Sequence, residues 1–537
     1  MLLPLILFLF PMSIADFASD HVHRFLNQSV NPCDNFYRHV CSINMDTNDT
    51  VWTKSENFYK DLAAQLKTRT LNNPVMNDIT KAREDLNCTY DADVYSTLLR
   101  ERCSRDFNCY FNEFLYFYTL YNATTTNVDD SLKFYSTHGN KTNQNITQSM
   151  RATSRMVELL YKNSNSSKHF NDTTSAYTQM NDRLFVMEFL NNGTTDLTNV
   201  NVGIEKIHNL AKKMKEVILR RFQETSWMLI INEFGFSIFG QYMTILDELI
   251  FLTDFDNFDR NLTTLRKINR DMTSKYFEYS PRSTGCAWFD VVHSFNTTSI
   301  ELDKKYTSHE DILNYIRAVY SLQYNAFNYV DASMVVFLAP VFYPLNENSS
   351  ESTMYGFSYI VGHEIFHSFI TEALQNRSEE YKKETECIIQ HYNQSCTLFA
   401  EGECISGSKT LSEDGPDVEG ARAAYELLKK QFTPDELKEM EYPDLQITRE
   451  QNFFYSIGMR WCRDLAKQEF KGPHSPDNIR VNSLVSQMPD FSRVFSCQPD
   501  DLLYSEPDGV CYLFGKNATG GKRISSVEEK KKATTST

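Results

Sequence analysis

The stretch Val361-Gly362-His363-Glu364-Ile365-Phe366-His367 decides how the rest of this 537-residue chain is interpreted. Residues four apart on an α-helix lie on one face, so His363 and His367 can reach the same metal ion. Glu364 lies on the same side and can serve as a general base. Apolar neighbours give the helix a face to bury. The spacing therefore predicts a catalytic zinc site on a helix from about 356 to 373.

A third protein ligand is needed, because a catalytic zinc site has three such ligands and one open position. A metzincin-type site would place glycine and histidine three and six residues after His367, but the chain has Ile370 and Ala373 there. Glu413 is favoured instead, because Asp417 follows four residues later and could hold a ligand histidine through its free N–H. The alternative is that both are ordinary acids near a helix N-terminus.

The composition indicates an acidic protein of two or three domains. The net charge is −16 and the pI about 5.3, and no long basic run is interleaved with aromatic residues. A nucleic-acid partner is therefore not expected. Hydrophobic residues make up 41% of the chain, which is enough for each domain to bury a core.

Residues 1–15 are predicted to be a signal peptide, because the apolar run 2–14 is too short to span a bilayer and ends in small residues. The chain also has 12 cysteines and about fifteen N-x-S/T sequons, which agree with an oxidising compartment and N-linked glycans. The best other candidate for an anchor, 234–246, has only thirteen residues free of charge and is too short to span a bilayer. We expect a secreted, extracellular protein without a membrane anchor.

Hydrophobic periodicity predicts helices in the first half and mixed structure later. Apolar residues at steps of three and four over 204–218 predict an amphipathic helix. The β-branched run 334–338, ended by Ala339-Pro340, predicts a strand. Strong helix formers over 419–428 predict another helix. The polar tail at 516–537 is expected to be disordered.

Motifs in a shared order resemble the neprilysin and endothelin-converting enzyme family of zinc metallopeptidases. They are Pro32-Cys33-Asp34-Asn35-Phe36-Tyr37 with Cys41, Asn325-Ala326-Phe327, Val361 to His367, Thr410-Leu411-Ser412-Glu413 with Asp417, Trp461-Cys462, and His474-Ser475-Pro476 with Arg480. Their order is more specific than any one motif. The resemblance implies a mostly α fold with a small β-sheet (α+β), in which a gluzincin-type, thermolysin-like catalytic domain is joined by a helical covering domain.

The same resemblance suggests the domain limits. They are a signal peptide at 1–15, an N-terminal segment at 16–50 tethered by disulfides to the catalytic domain, a helical covering domain at 51–290, the zinc peptidase domain at 291–515, and a disordered tail at 516–537.

The resemblance implies one Zn²⁺ per chain and assigns the catalytic roles. The implied zinc ligands are His363, His367 and Glu413, and the implied catalytic residues are Glu364, Asp417 and His474. Glu364 would be the general base and then the acid, and Asp417 would orient His363. His474 would donate to the oxyanion of the tetrahedral intermediate.

The implied substrates are small oligopeptides, cleaved on the amino side of large apolar residues. Asn325 and the backbone of Ala326 would bind the substrate main chain, which would lie as an added strand along the edge near 334–338. Arg480 would grip a substrate carbonyl. The specificity pocket would be lined by Tyr359, Ile360 and Trp461.

Four disulfides are implied by similarity. They are Cys33–Cys497, Cys41–Cys462, Cys88–Cys286 and Cys387–Cys511. The remaining cysteines would form local pairs, Cys103 with Cys109 and Cys396 with Cys404, which the sequence alone leaves open.

The chain also departs from the family pattern. The stretch between Cys286 and Asn325 is shorter, and Asn328 stands where tyrosine is usual. Gly415 and Pro416 follow Glu413, and a proline fits a helix without strain only in its first turn. Two alternatives therefore stay open: a zinc-binding relative of weak or no activity that captures peptides, and a secreted binding glycoprotein. An aminopeptidase is less favoured because no G-x-M-E-N stretch precedes the motif.

Overall fold

A computed structural model describes residues 17–42, 50–55, 198–229, 237–253, 325–338, 341, 345, 348–370, 379–399, 405–463 and 472–518. The chain divides into two compact units. One comprises Met1–Tyr59, Asp196–Asp256 and Gln323–Thr537, and every described residue belongs to it. The other, Lys60–Thr195 with Asn257–Leu322, lies outside the described residues.

Helices dominate the described part of the chain. The helices are α1 (Phe17–Phe25), α2 (Phe36–Val40), α3 (Thr198–Glu224), α4 (Ile238–Glu248), α5 (Glu351–Phe357), α6 (Tyr359–Phe366), α7 (Glu379–Phe399), α8 (Gly407–Gln431), α9 (Arg449–Met459), α10 (Asp477–Ser486) and α11 (Pro489–Val494). The strands are β1 (Ile250–Thr253), β2 (Ala326–Tyr329), β3 (Met334–Phe337), β4 (Met440–Tyr442) and β5 (Ile447–Thr448). The predicted fold class, mostly α with a small β-sheet, is confirmed.

The larger sheet has the order β1-β3-β2. Strand β3 pairs in parallel with β1 and antiparallel with β2, and all four of its residues are buried. The strand predicted over 334–338 is therefore confirmed, but its predicted position at an edge is wrong. Both sides of β3 already carry a partner, so an added strand could pair only with an outer strand such as β2.

The amphipathic helix predicted over 204–218 is confirmed by α3, whose apolar positions Ile207, Leu210, Met214 and Ile218 are buried. This helix packs against α6 and α8. It therefore belongs to the unit that contains the metal motif, although the predicted limits placed it in the covering domain at 51–290. Those limits remain a prediction. Among the described helices, none combines the length and the apolar character that a bilayer crossing needs.

The metal motif does not lie on one long helix from 356 to 373. Helix α5 ends at Phe357, Ser358 separates it from α6, and α6 ends at Phe366. Beyond that point the spacing of the backbone hydrogen bonds falls from four residues to three: the Ser368 N–H donates to the Ile365 carbonyl at 3.1 Å. Residues 371–373 lie outside the described residues.

Helix α8 is longer than the segment 419–428 that its composition predicts. It begins at Gly407, so Pro416 lies well inside it rather than in the first turn. Proline has no N–H to bond Ser412, and its ring faces that carbonyl. The helix nevertheless continues through Pro416, so Glu413 and Asp417 both lie within α8.

Two glycines bring α6 and α8 into backbone contact. A Cβ on Gly362 would lie 2.8 Å from the Gly420 Cα, and a Cβ on Gly420 would lie 2.6 Å from the His363 nitrogen. Neither position has room for a side chain. The helices are therefore closer than most helix pairs, whose axes are separated by side chains.

Three of the four implied disulfides are present. Cys33–Cys497 and Cys41–Cys462 connect the N-terminal segment to positions 464 and 421 residues away, and Cys387–Cys511 joins α7 to the C-terminal segment. The pair Cys88–Cys286 lies outside the described residues, as do Cys103, Cys109 and Cys404. Closing such long loops restricts the unfolded chain strongly in the chain-entropy account.

We expect Gly420→Ala to destabilise the protein by about 3 kcal/mol or more, because its methyl group would overlap backbone atoms that cannot rotate away. Urea unfolding at neutral pH measures the change. Gly240→Ala is the matched control, since its Cβ would meet only the Ser237 hydroxyl among the described residues, at 3.3 Å. Equal unfolding midpoints for both variants would contradict the proposed backbone contact.

We expect acid to destabilise the protein through His391. Burial lowers the pKa of His391 to about 4, although its ring donates to the Ser483 carbonyl at 3.2 Å. A histidine whose folded pKa lies below the unfolded value of about 6.5 loses stability as pH falls from 6.5 towards 4. Between pH 7.5 and 5.0 the loss is about 2 kcal/mol.

The measurement is the free energy of unfolding at those two pH values, for wild type and His391→Gln. The other titrating groups are common to both proteins, so the difference between their acid losses isolates His391. We expect the loss to be about 2 kcal/mol smaller in the variant. An equal loss in both proteins would show that His391 is not buried in its neutral form.

Candidate metal centre

Three side-chain atoms converge where α6 meets α8. His363 Nε2 lies 3.0 Å from His367 Nε2, and Glu413 Oε2 lies 3.4 Å from the first and 3.8 Å from the second. Bonds of 2.0–2.1 Å in tetrahedral geometry would separate zinc ligands by roughly 3.3–3.4 Å. The three measured distances bracket that value. This donor set of two imidazoles and one carboxylate therefore fits zinc.

The three ligands come from a precise pairing of the two helices. His363 follows Gly362, which contacts Gly420 of α8. On α8, Glu413, Asp417 and Gly420 are spaced by four and three residues and so lie on one face. The glycine contact consequently brings the whole acidic face against the histidines.

Asp417 orients the His363 ring by contacting the ring nitrogen that does not face the other ligands. Its Oδ1 lies 2.8 Å from His363 Nδ1, which leaves Nε2 to face the other ligands. A carboxylate in this place fixes the ring orientation and raises the basicity of the coordinating nitrogen. Burial opposes protonation of His363, but the negative charge of Asp417 outweighs it and raises the pKa of His363 to about 9. Metal binding at Nε2 would therefore release a proton.

Arg480 neutralises the acidic face. Its Nη2 donates to Asp417 Oδ1 at 3.0 Å, its Nε donates to Asp417 Oδ2, and its Nη2 lies 3.6 Å from Glu413 Oε2. Burial opposes ionisation of Asp417, but the charges of Arg480 and His363 outweigh it and hold the pKa of Asp417 at about 2. Arg480 is buried, and its guanidinium carbon lies 4.1 Å from the ring centre of Trp461.

Glu364 is buried beside the ligands, with 5% of its surface exposed. Burial raises the pKa of its carboxyl to about 7, although the charge of His363 partly opposes the shift. A general base works best when its pKa lies near the operating pH. The position and pKa of Glu364 therefore suit proton transfer near neutrality.

His474 reaches the same place from the loop before α10. Its Nε2 lies 3.1 Å from Glu413 Oε2, while 56% of its side chain is exposed to solvent. A histidine that is both exposed and next to the ligand group can meet a molecule entering the site. The structure thus brings His474, whose role at the site is implied only by the family resemblance, to the candidate metal centre.

The predicted substrate-binding residues divide into two groups. Asn325 is exposed and precedes β2, whose first residue is Ala326. The other group is buried in the unit: Tyr359, Ile360, Trp461 and Arg480. Trp461 stacks on Arg480, so one of its faces packs against a charged residue rather than an open pocket.

Two features of the site escaped the sequence analysis. Gly420 contacts the metal helix, yet a lone glycine in a helical stretch carries no local sign of its partner. In the sequence Asn328 is only a departure from the family pattern. In the structure its side-chain amide donates to the Glu364 carbonyl. The alternation of side chains in β2 could have indicated that Asn328 and the buried Ala326 share a face.

Comparisons with known proteins agree with this geometry. The profile of "Peptidase family M13" matches residues 325–511, which include all three candidate ligands. Over this segment the chain resembles peptidase family M13. Since this is a family of zinc metallopeptidases, the similarity agrees with zinc as the metal at the candidate ligands.

The relatives within this family match only part of the chain. Neprilysin-3 of Drosophila melanogaster is 29% identical over 171 residues, which cover 28% of this chain and 21% of the relative. Endothelin-converting enzyme 1 of Mus musculus is 30% identical over 162 residues, covering 27% and 20%. Endothelin-converting enzyme-like 1 of Homo sapiens is 24% identical over 320 residues, covering 55% and 38%. The match therefore spans well under half of each relative.

A solved structure titled "Haemonchus galactose containing glycoprotein complex" resembles the chain more extensively. The TM-score is 0.58, and the match covers 92% of this chain and 98% of that one. Sequence identity is 14%, so the likeness concerns the fold alone.

We expect Glu413→Ala to lower the affinity for zinc by at least about 100-fold, because two imidazoles alone hold the ion weakly. Zinc per chain is measured after dialysis against a weak chelator. Glu386→Ala is the control, because Glu386 lies exposed on α7 and bonds only Gln390 among the described residues. An unchanged zinc content in Glu413→Ala would remove Glu413 from the ligand set.

Proposed function

We propose that this protein, which resembles family M13 over residues 325–511, is a zinc-dependent endopeptidase that hydrolyses small extracellular peptides before large apolar residues. The observation that carries the proposal is the triangle of His363 Nε2, His367 Nε2 and Glu413 Oε2, with sides of 3.0, 3.4 and 3.8 Å, beside the buried carboxyl of Glu364. One ion per chain fits this donor set.

Bound zinc would supply Lewis acidity, which lowers the pKa of water and polarises a carbonyl group. The chain supplies the proton transfers. Glu364 accepts a proton from the attacking water at its carboxylate and then gives it to the leaving amine. His474 donates from its ring nitrogen to the oxygen on which negative charge develops, a contribution of about 3–4 kcal/mol for one such donor. Asp417 and Arg480 act indirectly, by orienting His363.

The substrate would bind as an extended strand beside β2. Strand β2 pairs with β3 on one side, and it begins at Ala326 next to the exposed Asn325. Among the described strands, β2 lies at the edge of its sheet, and a peptide main chain can add to a strand in that position. Tyr359, Ile360 and Trp461 are proposed to shape the pocket for the apolar side chain, and the segment 51–290 is proposed to limit access to small peptides.

We also propose that the protein is secreted and carries N-linked glycans. Three disulfides in the described residues support an oxidising compartment, because such bonds are rare in the cytosol. The apolar stretch at 2–14 and the sequons agree with export.

One observation favours the alternative, in which the protein captures peptides without cleaving them. The predicted substrate ligand Arg480 is buried and uses two N–H groups on Asp417. A site whose guanidinium is engaged in this way could retain zinc and bind peptides with little turnover. The two functions differ in a measurable result, because only the enzyme depends on Glu364.

We expect Glu364→Gln to keep its zinc and to lose about 10²–10⁴-fold in kcat, because an amide cannot accept the proton of water. Cleavage of a small peptide library by zinc-loaded protein measures the loss, with Glu386→Gln as the exposed control. Chelation should abolish wild-type cleavage, and added zinc should restore it. Full zinc content without cleavage in wild type would favour the peptide-capturing protein.

A further inference from the structure

The C-terminal end of α6 leaves one carbonyl group without its usual partner. In a regular helix the Glu364 carbonyl would accept from the N–H of Ser368, four residues later. Here the Ser368 N–H bonds the Ile365 carbonyl instead. The Glu364 carbonyl is consequently one of the unsatisfied groups that every helix end must place elsewhere.

Asn328 of β2 supplies the missing donor. Its Nδ2 donates to the Glu364 carbonyl and, at 2.8 Å, to the hydroxyl oxygen of Ser368. The amide orientation is unambiguous, because a carbonyl oxygen can only accept and must therefore face the NH₂ group. The Asn328 side chain thus caps α6 at the residue that carries the proposed base.

This bond joins the two elements that the proposed reaction must align. Strand β2 would hold the peptide main chain, and Glu364 must then meet a water beside the scissile carbonyl. Ala326 and Asn328 lie on the same face of β2, and Asn328 turns this face towards α6. Among the described strands β2 is an outer one, so the proposed peptide would pair along its other edge. The pairing of Asn328 with Val335 fixes the register of the strand in the sheet.

We propose that Asn328 is a positioning residue, which sets the distance between the substrate-binding edge of β2 and the base Glu364. The inference rests on the proposed endopeptidase function. It assigns to Asn328 no contact with zinc or substrate. Reaction rates depend steeply on such alignment, and an error of about 1 Å can cost 100-fold.

The test compares zinc-loaded wild type with Asn328→Leu, which has similar volume and no donor. We expect kcat to fall about 10- to 100-fold while KM stays within about threefold, because the edge of β2 still binds peptide but presents it out of line. Zinc content should not change. Asn328→Gln keeps an amide donor and should recover part of the loss.

A double-mutant cycle with Ser368→Ala tests the contact itself. Ser368→Ala should lower kcat in the wild-type background and have no further effect in Asn328→Leu, because its partner is already missing. Val330→Ala is the control: Val330 lies two residues beyond Asn328 and is 46% exposed. If Asn328→Leu does not fold, Asn328→Ser, whose hydroxyl is too short to reach α6, carries the same expectation.

Three results would overturn the inference. They are unchanged kcat in both Asn328→Leu and Asn328→Ser, loss of zinc together with loss of activity, and strictly additive effects of Asn328 and Ser368. An inactive wild type would overturn the proposed function as well. An active wild type with equally active variants would overturn only the role of Asn328.

Discussion

Helices α6 and α8 touch through their backbones at Gly362 and Gly420, and the position of every candidate ligand depends on this contact. Three features of α8 lie along one face: the third ligand Glu413, the orienting carboxylate Asp417, and the glycine that allows the approach. A wider separation would move both carboxylates away from the histidines together. The contact therefore determines the donor distances as a group, and no single side chain can restore them.

The close approach also creates an electrostatic problem. Glu413 and Asp417 are both largely buried, and two neighbouring carboxylates out of water would resist ionisation. Arg480 solves it with two N–H groups on Asp417 and one near Glu413. The guanidinium of Arg480 also stacks on the ring of Trp461, which helps to stabilise the buried charge. Buried ion pairs of this kind add little net stability, so the main consequence of this set is that it orients His363 and Glu413.

The sequence was sufficient for the parts of the site that depend on spacing within one helix. His363 with His367, and Glu413 with Asp417, follow from the 3.6-residue period, and the apolar run at β3 follows from its composition. Contacts between distant segments produce no periodic pattern in the sequence. Neither the approach of Gly420 to Gly362 nor the bond from Asn328 to Glu364 is visible in local sequence, and the order β1-β3-β2 could not be deduced from the strands alone. Pro416 disfavours a helix interior, so local sequence does not indicate that α8 continues through it.

The remaining question is what prevents α8 from turning about its axis. A carboxylate lies roughly 5–6 Å from the axis, so a rotation of about 20° would displace Glu413 by about 2 Å. Zinc sites tolerate errors of about 0.2 Å, which corresponds to a rotation of about 2°. The opposite side of α8 meets this requirement with buried ion pairs. Glu419 binds Arg221 of α3, Arg422 and the Leu513 N–H, while Arg422 donates to the Cys511 and Gln487 carbonyls at 2.6 Å. The far face of α8 is therefore fixed to α3, to the end of α10 and to the C-terminal segment, which the Cys387–Cys511 disulfide joins to α7. The precision of the metal centre is therefore set as much by this far face as by the residues that would touch the ion.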